Sequence, residues 1–562
     1  MKDHEIARRA VLKPIESIAS ASGIGKRYLE PCGRYKAKVS LEILDKTASR
    51  KTGTYVVVTG ITPTPLGEGK TVTTIGLSMA LNRLGRRSVS TIRQSSLGPL
   101  FGIKGGGTGG GLSQVVPRDD ISLHLTGDFH AVTAAHNLLA AFLDNHIYRG
   151  NKLGIDRERI FWDRVVDVSD RSLRHVRVGV GGGESGIERS SRFDITAASE
   201  IMAILALADS LPELYRRISK IVVALTEDGE PVTCADLKVA GAMTALLKDA
   251  IKPTLVQTLE HTPCLIHAGP FANILHGNSS VIADKIALKT ADFVVTESGF
   301  GVDCGAEKFF DIKCRYGRLV PDVAVLVSSV RALKAHSGRF KVSPGRPLDK
   351  GLLKEDIGAL EEGCANLEKQ IENVKTFGIP CVVAINRFGS DTKREIETVK
   401  RRSGAAGAFA CAVSELYRHG SGGGIELAEA VVRASGARRN FRFLYPAGLP
   451  IKDKIETIAK KMYGARSVQY GAVAESDIAL WEGLGFGRFP VCMAKTHLSL
   501  SHDPSLKGRP RHFDLPVRGA RLFAGAGFIS PLCGNIMTMP SLPSRPLGEK
   551  VGIDSKGNIK GI

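Results

Sequence analysis

The chain has 562 residues, of which 43% are hydrophobic and 24% are charged. This length exceeds that of one ordinary domain, and the composition is that of a globular protein with ample apolar material for a core. No uninterrupted apolar run of about 18 residues occurs, so no membrane-spanning helix is expected. The first residues lack the apolar stretch of a signal peptide, and we therefore expect a cytoplasmic location.

Lysine and arginine number 77 against 57 acidic residues, which gives a formal net charge of +20. The basic residues are scattered along the chain, as in the pairs that begin at Arg86 and Arg401. This net charge produces a positive electrostatic field that attracts any polyanion, including nucleotides and polycarboxylates. No nucleic-acid-binding motif accompanies the charge, so we do not expect nucleic acid as a partner. The ten cysteines form no Cys-x-x-Cys pair, which argues against a zinc site or a disulfide framework.

Apolar runs typical of buried strands alternate with helical patterns along the chain. Residues 54–61 (TYVVVTGI) predict a strand and residues 71–84 a helix; further strands are predicted at 88–92, 221–225, 293–296, 323–327 and 381–386. Apolar positions at steps of three and four predict a helix at 357–374. This alternation predicts an α/β fold with a mostly parallel sheet. The glycine-rich tract Gly420–Gly424 fits either a linker or an ordered loop.

The strongest local motif is TPLGEGKT at residues 64–71, between a predicted strand and a predicted helix. A phosphate-binding loop needs small residues that turn backbone N–H groups toward the phosphates, a lysine for their charge and a hydroxyl for Mg²⁺. The alternative is a chance Gly-Lys-Thr turn, which the strand-loop-helix setting disfavours. The predicted nucleotide-binding residues are Thr64, Pro65, Leu66, Gly67, Glu68, Gly69, Lys70 and Thr71, with Thr71 as the metal ligand.

Two further segments carry groups that could do chemistry. Arg93 follows the predicted strand 88–92, where its guanidinium could bind a phosphate or carboxylate with two hydrogen bonds. The segment HLTGDFH places His124, Asp128 and His130 within seven residues. These groups, like His267 farther along, could titrate during catalysis or could belong to an ordinary hydrogen-bond network. We take Lys70, Arg93, His124, Asp128 and His267 as the catalytic candidates.

Aromatic residues follow the strand 381–386 (CVVAIN). The turn NRFGSD resembles a guanine-reading turn, but its Asp391 falls two positions late, so guanine recognition is not expected. Phe388 in this turn and Tyr417 downstream could stack on a planar heterocycle, or could be ordinary core residues.

The sequence resembles the formate–tetrahydrofolate ligases, also called formyltetrahydrofolate synthetases, along essentially its whole length. The resemblance is carried by long blocks, among them TPTPLGEGKT, LTGDFHAVTAAHNLLAAFLDNHIY, GPFANILHG, GAEKFFDIKCR and PVCMAKT. It implies an ATP-dependent ligation of formate to tetrahydrofolate that yields 10-formyltetrahydrofolate, ADP and phosphate. Formate, ATP and tetrahydrofolate are then the small-molecule partners, and Mg²⁺ and a monovalent cation are the implied ions.

The resemblance also implies an architecture and residue roles. It implies a P-loop NTPase-like nucleotide domain at 1–360, a second α/β domain at 361–450, and a domain at 451–562 that closes the cleft, in a homotetramer. ATP would bind at residues 64–71, and Arg93 would hold the formyl phosphate intermediate. Phe388 and Tyr417 would stack on the pterin, and Phe300 in ESGFGVD would lie near that pocket.

Some positions depart from the family pattern. Gln94 replaces a glutamate, and His497 and Leu498 stand where the family has glutamine and tyrosine. The segment 296–305 differs at three positions: Ser298, Val302 and Cys304. Two alternatives therefore stay open: a catalytically weakened paralogue that binds nucleotide, and another P-loop ligase that activates a carboxylate, of the dethiobiotin synthetase kind.

Overall fold

The computed structural model describes residues 1–103, 107–343, 347–534, 536–555, 557 and 559–561. Its centre is one large mixed sheet. The strands of this sheet, labelled in chain order, are β1 Leu29–Pro31, β2 Ala37–Val39, β3 Thr54–Gly60, β4 Ser88–Ile92, β5 Gly109–Gly110, β6 Ser113–Val116, β7 Thr254–Thr258, β8 Pro263–Ile266, β9 Phe293–Glu297, β10 Val323–Ser328, β11 Cys381–Asn386 and β12 Ala410–Ser414.

The strand order is β1-β2-β7-β8-β4-β9-β3-β10-β11-β12, and β6 pairs with β7 and with β5. From β8 to β12 every neighbouring pair is parallel. The pairs on the other side, from β1 to β8, are antiparallel. The predicted α/β class with a mostly parallel sheet is thus confirmed.

The central strands are apolar along their whole length because both faces of the sheet are covered. On β3, Tyr55 and Val57 belong to the core on one face, while Val56 and Val58 belong to the core on the other. The predicted strand at 221–225 is also buried, but it lies outside the central sheet, at Val222–Thr226 in a small antiparallel sheet.

Helices cover both faces of the central sheet. Those of at least eight residues are α1 Lys70–Arg83, α2 Asp128–Tyr148, α3 Glu200–Leu207, α4 Leu211–Ser219, α5 Val281–Thr290, α6 Ile357–Thr376, α7 Lys393–Ala405, α8 Ile425–Ser435, α9 Ile451–Ile458 and α10 Ala472–Gly483. Shorter ones are Asp3–Arg8, Ile15–Ala21, Glu42–Lys46, Leu97–Phe101, Arg118–Leu123, Ala240–Leu246, Arg315–Gly317, Val330–His336 and Leu416–His419. Helices α1 and α8 pack on one face, and α5 and α6 pack on the other.

Smaller sheets lie outside the central one. They pair Val222–Thr226 with Ile155–Ile160 and Pro231–Thr233, Val176–Val178 with Arg189–Ser191, Arg164–Val166 with Phe193–Ile195, Ser467–Tyr470 with Asp514–Val517, Phe528–Cys533 with Ala494–Lys495 and Ala520–Phe523, and Gly552–Ile553 with Ile559–Lys560. The domain boundary expected at residue 360 falls within α6. The central sheet continues past that residue through β11 and β12. Within the described residues, no helix has the length and apolar character needed to cross a membrane.

Candidate active site

Most of the predicted site residues, and Glu297 with them, lie at the edge of the sheet where neighbouring parallel strands end. In sheet order, β8 leads to His267, β4 to Arg93, β9 to Glu297, β3 to the loop at 64–71, β11 to Phe388 and β12 to Tyr417. In parallel α/β sheets this carboxyl edge is where ligands bind. The strand order therefore brings residues from distant parts of the sequence to one edge.

The 64–71 loop joins β3 to α1 through glycines in the left-handed region, with φ of 73° at Gly67 and 87° at Gly69. A side chain at Gly69 would also lie 2.5 Å from the amide nitrogen of Asn386. That amide donates a hydrogen bond to the Glu68 carbonyl at 3.0 Å. The Glu68 carboxylate in turn accepts a hydrogen bond from the Thr64 backbone N–H at 2.7 Å. The loop is thus folded on itself and held against the end of β11.

The two side chains at the start of α1 each face a carboxylate. Lys70 Nζ lies 3.6 Å from Glu68 Oε2. Thr71 Oγ1 donates a hydrogen bond of 2.8 Å to Glu297 Oε2. Thr71 and Glu297 together offer two hard oxygen ligands, which suits Mg²⁺ because this ion keeps several of its waters. Among the described residues, no group of three or more His, Cys, Asp or Glu side chains could hold a metal.

Glu297 was missed by the sequence reasoning, and it links the two halves of the site. Its other oxygen, Oε1, lies 3.6 Å from Nε of Arg93, and its side chain is 7% exposed. Strand β9 lies between β4 and β3, so its last residue falls between Arg93 and the 64–71 loop. In the sequence, Glu297 could have been noticed as an acidic residue at the end of a buried run of β-branched residues. Its contacts could not have been predicted, because they depend on the strand order.

Arg93 is held by the segments around it. Its Nη1 donates a hydrogen bond to the Pro270 carbonyl at 3.3 Å, and a side chain at Gly299 would lie 3.2 Å from the same nitrogen. The next residue, Gln94, is buried, and its backbone N–H donates to the Ala268 carbonyl at 2.8 Å. These contacts hold the guanidinium at the edge of the sheet, with its Nε 3.6 Å from Glu297 Oε1.

The HLTGDFH segment divides into an exposed pair and a buried carboxylate. His124 Nδ1 and His130 Nε2 are 2.8 Å apart, and both residues are exposed. Asp128 is buried at the start of α2, and Lys38 Nζ donates to both of its oxygens at 2.6 and 2.7 Å. Burial raises the pKa of Asp128, and the charge of Lys38 opposes that rise. Its hydrogen-bonding capacity is therefore largely directed toward Lys38.

His267 is fully buried, and both of its ring nitrogens have partners. Nδ1 lies 2.7 Å from Ser280 Oγ and Nε2 lies 2.6 Å from the Ala250 carbonyl. Burial lowers the pKa of His267 to about 3, and Lys38 adds to this effect. The imidazole is therefore neutral at physiological pH. None of these contacts brings His267 to Lys70 or Arg93.

Phe388 and Tyr417 follow the adjacent strands β11 and β12. The Arg331 guanidinium lies 3.4 Å from the Phe388 ring centroid. The Tyr417 hydroxyl donates to Asp3 Oδ1 at 2.7 Å, and its ring, 48% exposed, packs against Gly110 and Gly111. The loops that carry the two rings touch, because a side chain at Gly389 would lie 2.8 Å from the Arg418 guanidinium.

Phe300 lies elsewhere along the edge. It follows β9, which is three strands away from β11, a separation of roughly 14 Å at the usual strand spacing. Its backbone has φ of 60°, and its ring stacks on His497 with centroids 4.0 Å apart and planes at 16°. Phe300 is therefore on the Arg93 side of the 64–71 loop, whereas Phe388 and Tyr417 are on the opposite side.

Comparison with known proteins identifies the family of the whole chain. A family model described as formate–tetrahydrofolate ligase matches residues 1–562. A formate–tetrahydrofolate ligase of Roseiflexus sp. (strain RS-1) is 55% identical over 562 residues, covering 100% of both chains. The proteins of the same name from Roseiflexus castenholzii and Saccharopolyspora erythraea are each 54% identical over 560 residues, which is 100% of this chain and 99% of each relative.

The fold and the site define an α/β protein whose candidate residues lie at the carboxyl edge of a mostly parallel sheet. With the full-length match added, the class narrows to an enzyme that ligates two substrates. The chain belongs to the formate–tetrahydrofolate ligase family.

Proposed function

We propose that this chain uses ATP to activate formate as formyl phosphate and then transfers the formyl group to tetrahydrofolate, giving 10-formyltetrahydrofolate, ADP and phosphate. The observation that carries the proposal is the Glu297 carboxylate, which contacts Thr71 at 2.8 Å and approaches Arg93 at 3.6 Å. It joins a loop suited to a nucleotide with an arginine suited to a second anion. Joining two anions is the requirement of this reaction.

The 64–71 loop would hold ATP in a P-loop NTPase-like domain. Its backbone N–H groups and the start of α1 would face the phosphates, and Lys70 would exchange Glu68 for the β- and γ-phosphate oxygens. Thr71 and Glu297 would hold Mg²⁺, which supplies charge neutralisation on the transferring phosphoryl group when bound. Pairing with carboxylates keeps both side chains in place before ATP arrives.

Arg93 would bring formate to the γ-phosphate. Formate is a poor electrophile, because its leaving group would be hydroxide-like. When a formate oxygen attacks the γ-phosphorus, the bond to the ADP oxygen breaks and a mixed anhydride forms. A guanidinium beside the reacting phosphoryl group stabilises the charge in that transition state.

Tetrahydrofolate would then complete the reaction. Its N10 amine attacks the formyl carbon, phosphate leaves with the bonding electron pair, and the amine loses a proton. Phe388 and Tyr417 would hold the pterin between the adjacent loops that follow β11 and β12. The exposed His124–His130 pair is the candidate acceptor of the amine proton. Asp128 and His267 would act by positioning, because their contacts are with Lys38 and with Ser280 and the Ala250 carbonyl.

The wider assignments rest on the same family membership. We propose a nucleotide domain at 1–360 and a folate-stacking domain at 361–450 that share α6 and the central sheet, and a closing domain at 451–562. We further propose a cytoplasmic homotetramer with a site for a monovalent cation. Mass measurement of the native protein in solution tests the tetramer, and a mass of one or two chains would contradict it.

Omission of each substrate in turn tests the function. ADP formation should require both formate and tetrahydrofolate for sustained turnover, and 10-formyltetrahydrofolate should accumulate with the ADP. The weakened paralogue predicts ATP binding without turnover. A different carboxylate-activating ligase predicts ADP formation with another acid and no dependence on tetrahydrofolate. Either pattern would overturn the proposal.

A further inference from the structure

The stacking of His497 on Phe300 joins the C-terminal part of the chain to the Arg93 side of the 64–71 loop. The rings are nearly parallel, at 16°, with centroids 4.0 Å apart, and both residues are half-buried. Phe300 follows Gly299, whose Cα faces Arg93 Nη1 closely enough that an added side chain would lie at 3.2 Å. The backbone just before Phe300 is therefore next to Arg93, the group that binds the reacting anion in the proposed function.

A buried ion pair fixes the two segments that carry the rings. Lys495, two residues before His497, lies 2.8 Å from Asp303, three residues after Phe300, and both side chains are at most 1% exposed. Asp303 Oδ1 also accepts a hydrogen bond from Gln370 on α6 at 2.7 Å. Gln370 donates in addition to Thr62, just before the 64–71 loop, at 3.1 Å. The stack is thus built on the same rigid network as the nucleotide loop.

The backbone at Phe300 indicates that the ring's position matters. A φ of 60° is costly for a bulky residue and persists only where the surroundings enforce it. Side chains held in this way cluster at functional sites. Here the residue with this conformation stacks its apolar ring on His497, so that one face of Phe300 is covered.

We propose that His497 is a positioning residue that holds the Phe300 ring in place on the Arg93 side of the 64–71 loop. There the ring excludes water and so protects the formyl phosphate from hydrolysis. This inference rests on the proposed function and deepens it. Without the Phe300 ring in place, water hydrolyses the formyl phosphate. A water oxygen bonds to the formyl carbon, the bond from that carbon to the phosphate oxygen breaks, and a proton passes to solvent. The products are formate and phosphate, so ATP is consumed without formyl transfer.

The test measures coupling in the full-length protein. ADP and 10-formyltetrahydrofolate are quantified together, and formate-dependent ADP formation is measured without tetrahydrofolate. We expect His497→Ala to raise the ratio of ADP to 10-formyltetrahydrofolate roughly twofold or more above wild type, the scale of losing one ring-stacking contact. His497→Phe, which keeps a flat ring, should restore the wild-type ratio. His175→Ala, at an exposed histidine, is the control and should not change it.

A double-mutant cycle separates positioning from a general loss of structure. Phe300→Ala should raise the ratio of ADP to 10-formyltetrahydrofolate as His497→Ala does. The double variant should raise this ratio no further than Phe300→Ala alone. An unchanged ratio in His497→Ala or in Phe300→Ala would overturn the inference. An equally raised ratio in His497→Ala and His497→Phe would overturn it as well. These results leave the proposed function standing if wild type couples normally. A wild type without formate-dependent ADP formation would overturn both.

Discussion

Glu297 shows how one side chain can serve two loops. Its carboxylate accepts from Thr71 through Oε2 and faces Arg93 through Oε1, so it orients the hydroxyl and the guanidinium together. Removing its charge should weaken the Mg²⁺ site while removing a repulsion from the ATP phosphates. We predict that Glu297→Gln loses most of the effect of Mg²⁺ on ATP affinity, whereas ATP binds without Mg²⁺ at least as well as to wild type.

Calorimetric titration of ATP with and without Mg²⁺ measures this directly and does not depend on turnover. Glu362→Gln, at an exposed glutamate paired with Arg339, is the matched control. If Glu297→Gln keeps the full dependence of ATP affinity on Mg²⁺, the carboxylate is not part of the metal site.

Gln94 is the departure from the family pattern that is closest to Arg93. Its side chain is 3% exposed, and within the described residues its Oε1 has no hydrogen-bond partner. An amide oxygen can ligate a cation, but it lacks the negative charge of a glutamate carboxylate, so it is a weaker ligand. We predict weak or absent activation by potassium, and stronger activation in Gln94→Glu.

Initial rates across a potassium series, with tetramethylammonium keeping the ionic strength constant, measure this activation. Strong activation of the native protein that Gln94→Glu leaves unchanged would show that other oxygens bind the cation.

At the level of elements, the adjacent strands β11 and β12 bring together the loops that carry Phe388 and Tyr417. We predict that Phe388→Ala and Tyr417→Ala each raise the KM for tetrahydrofolate and leave the KM for ATP nearly unchanged. Stacking contributes on the order of 0.5–1.5 kcal/mol, which corresponds to roughly two- to twelvefold in KM. Phe409→Ala, at an exposed phenylalanine just before β12, is the control. A selective rise in the KM for ATP would place these rings in the nucleotide pocket instead.

Elements that depend on local sequence could be predicted, and their arrangement could not. The strand at 54–61, the loop at 64–71 and the helix after it follow from patterns within one short segment, and the structure confirms the strand and the helix as β3 and α1. Glu297 contacts Thr71 across 226 residues of sequence, because β9 inserts between β4 and β3. No local pattern encodes that insertion, nor the meeting of Phe300 with His497.

The tract Gly420–Gly424 illustrates the same limit. The sequence fitted a linker as well as an ordered loop, and the structure forms a short 3₁₀ helix. A side chain at Gly423 would lie 2.5 Å from the Glu415 carbonyl, and one at Gly424 would lie 2.4 Å from Leu416. Close packing therefore requires these glycines, and the linker interpretation is wrong.

At the scale of the whole molecule, a buried carboxyl joins α3 to the C-terminal region. Glu200 Oε1 accepts from the Gly525 N–H at 2.7 Å and the Ala526 N–H at 3.1 Å. Burial raises the pKa of Glu200 to about 7, although these two bonds oppose the rise. The folded state therefore favours the protonated carboxyl. Its contribution to stability is complete below the ordinary pKa near 4.5 and is lost as the pH rises through about 7.

We therefore predict that Glu200→Gln, which keeps the acceptor oxygen without the charge, is more stable than wild type at pH 8 by on the order of 2–3 kcal/mol. At pH 4.5 the two proteins should be nearly alike. Thermal unfolding across this range measures the difference, and Glu475→Gln, at an exposed residue, is the control. A difference independent of pH would mean that Glu200 stays ionised in the folded protein.

In the proposed reaction, a formate oxygen attacks the γ-phosphorus at the junction that Glu297 makes between Arg93 and the 64–71 loop. Formate labelled with ¹⁸O in both oxygens tests it most directly. If formyl phosphate forms, its bridging oxygen comes from formate and leaves with the phosphate, so each phosphate released with 10-formyltetrahydrofolate should carry one ¹⁸O by mass spectrometry. Unlabelled phosphate, with one label kept in the formyl group and the other lost to water, would show that formate is not activated as formyl phosphate.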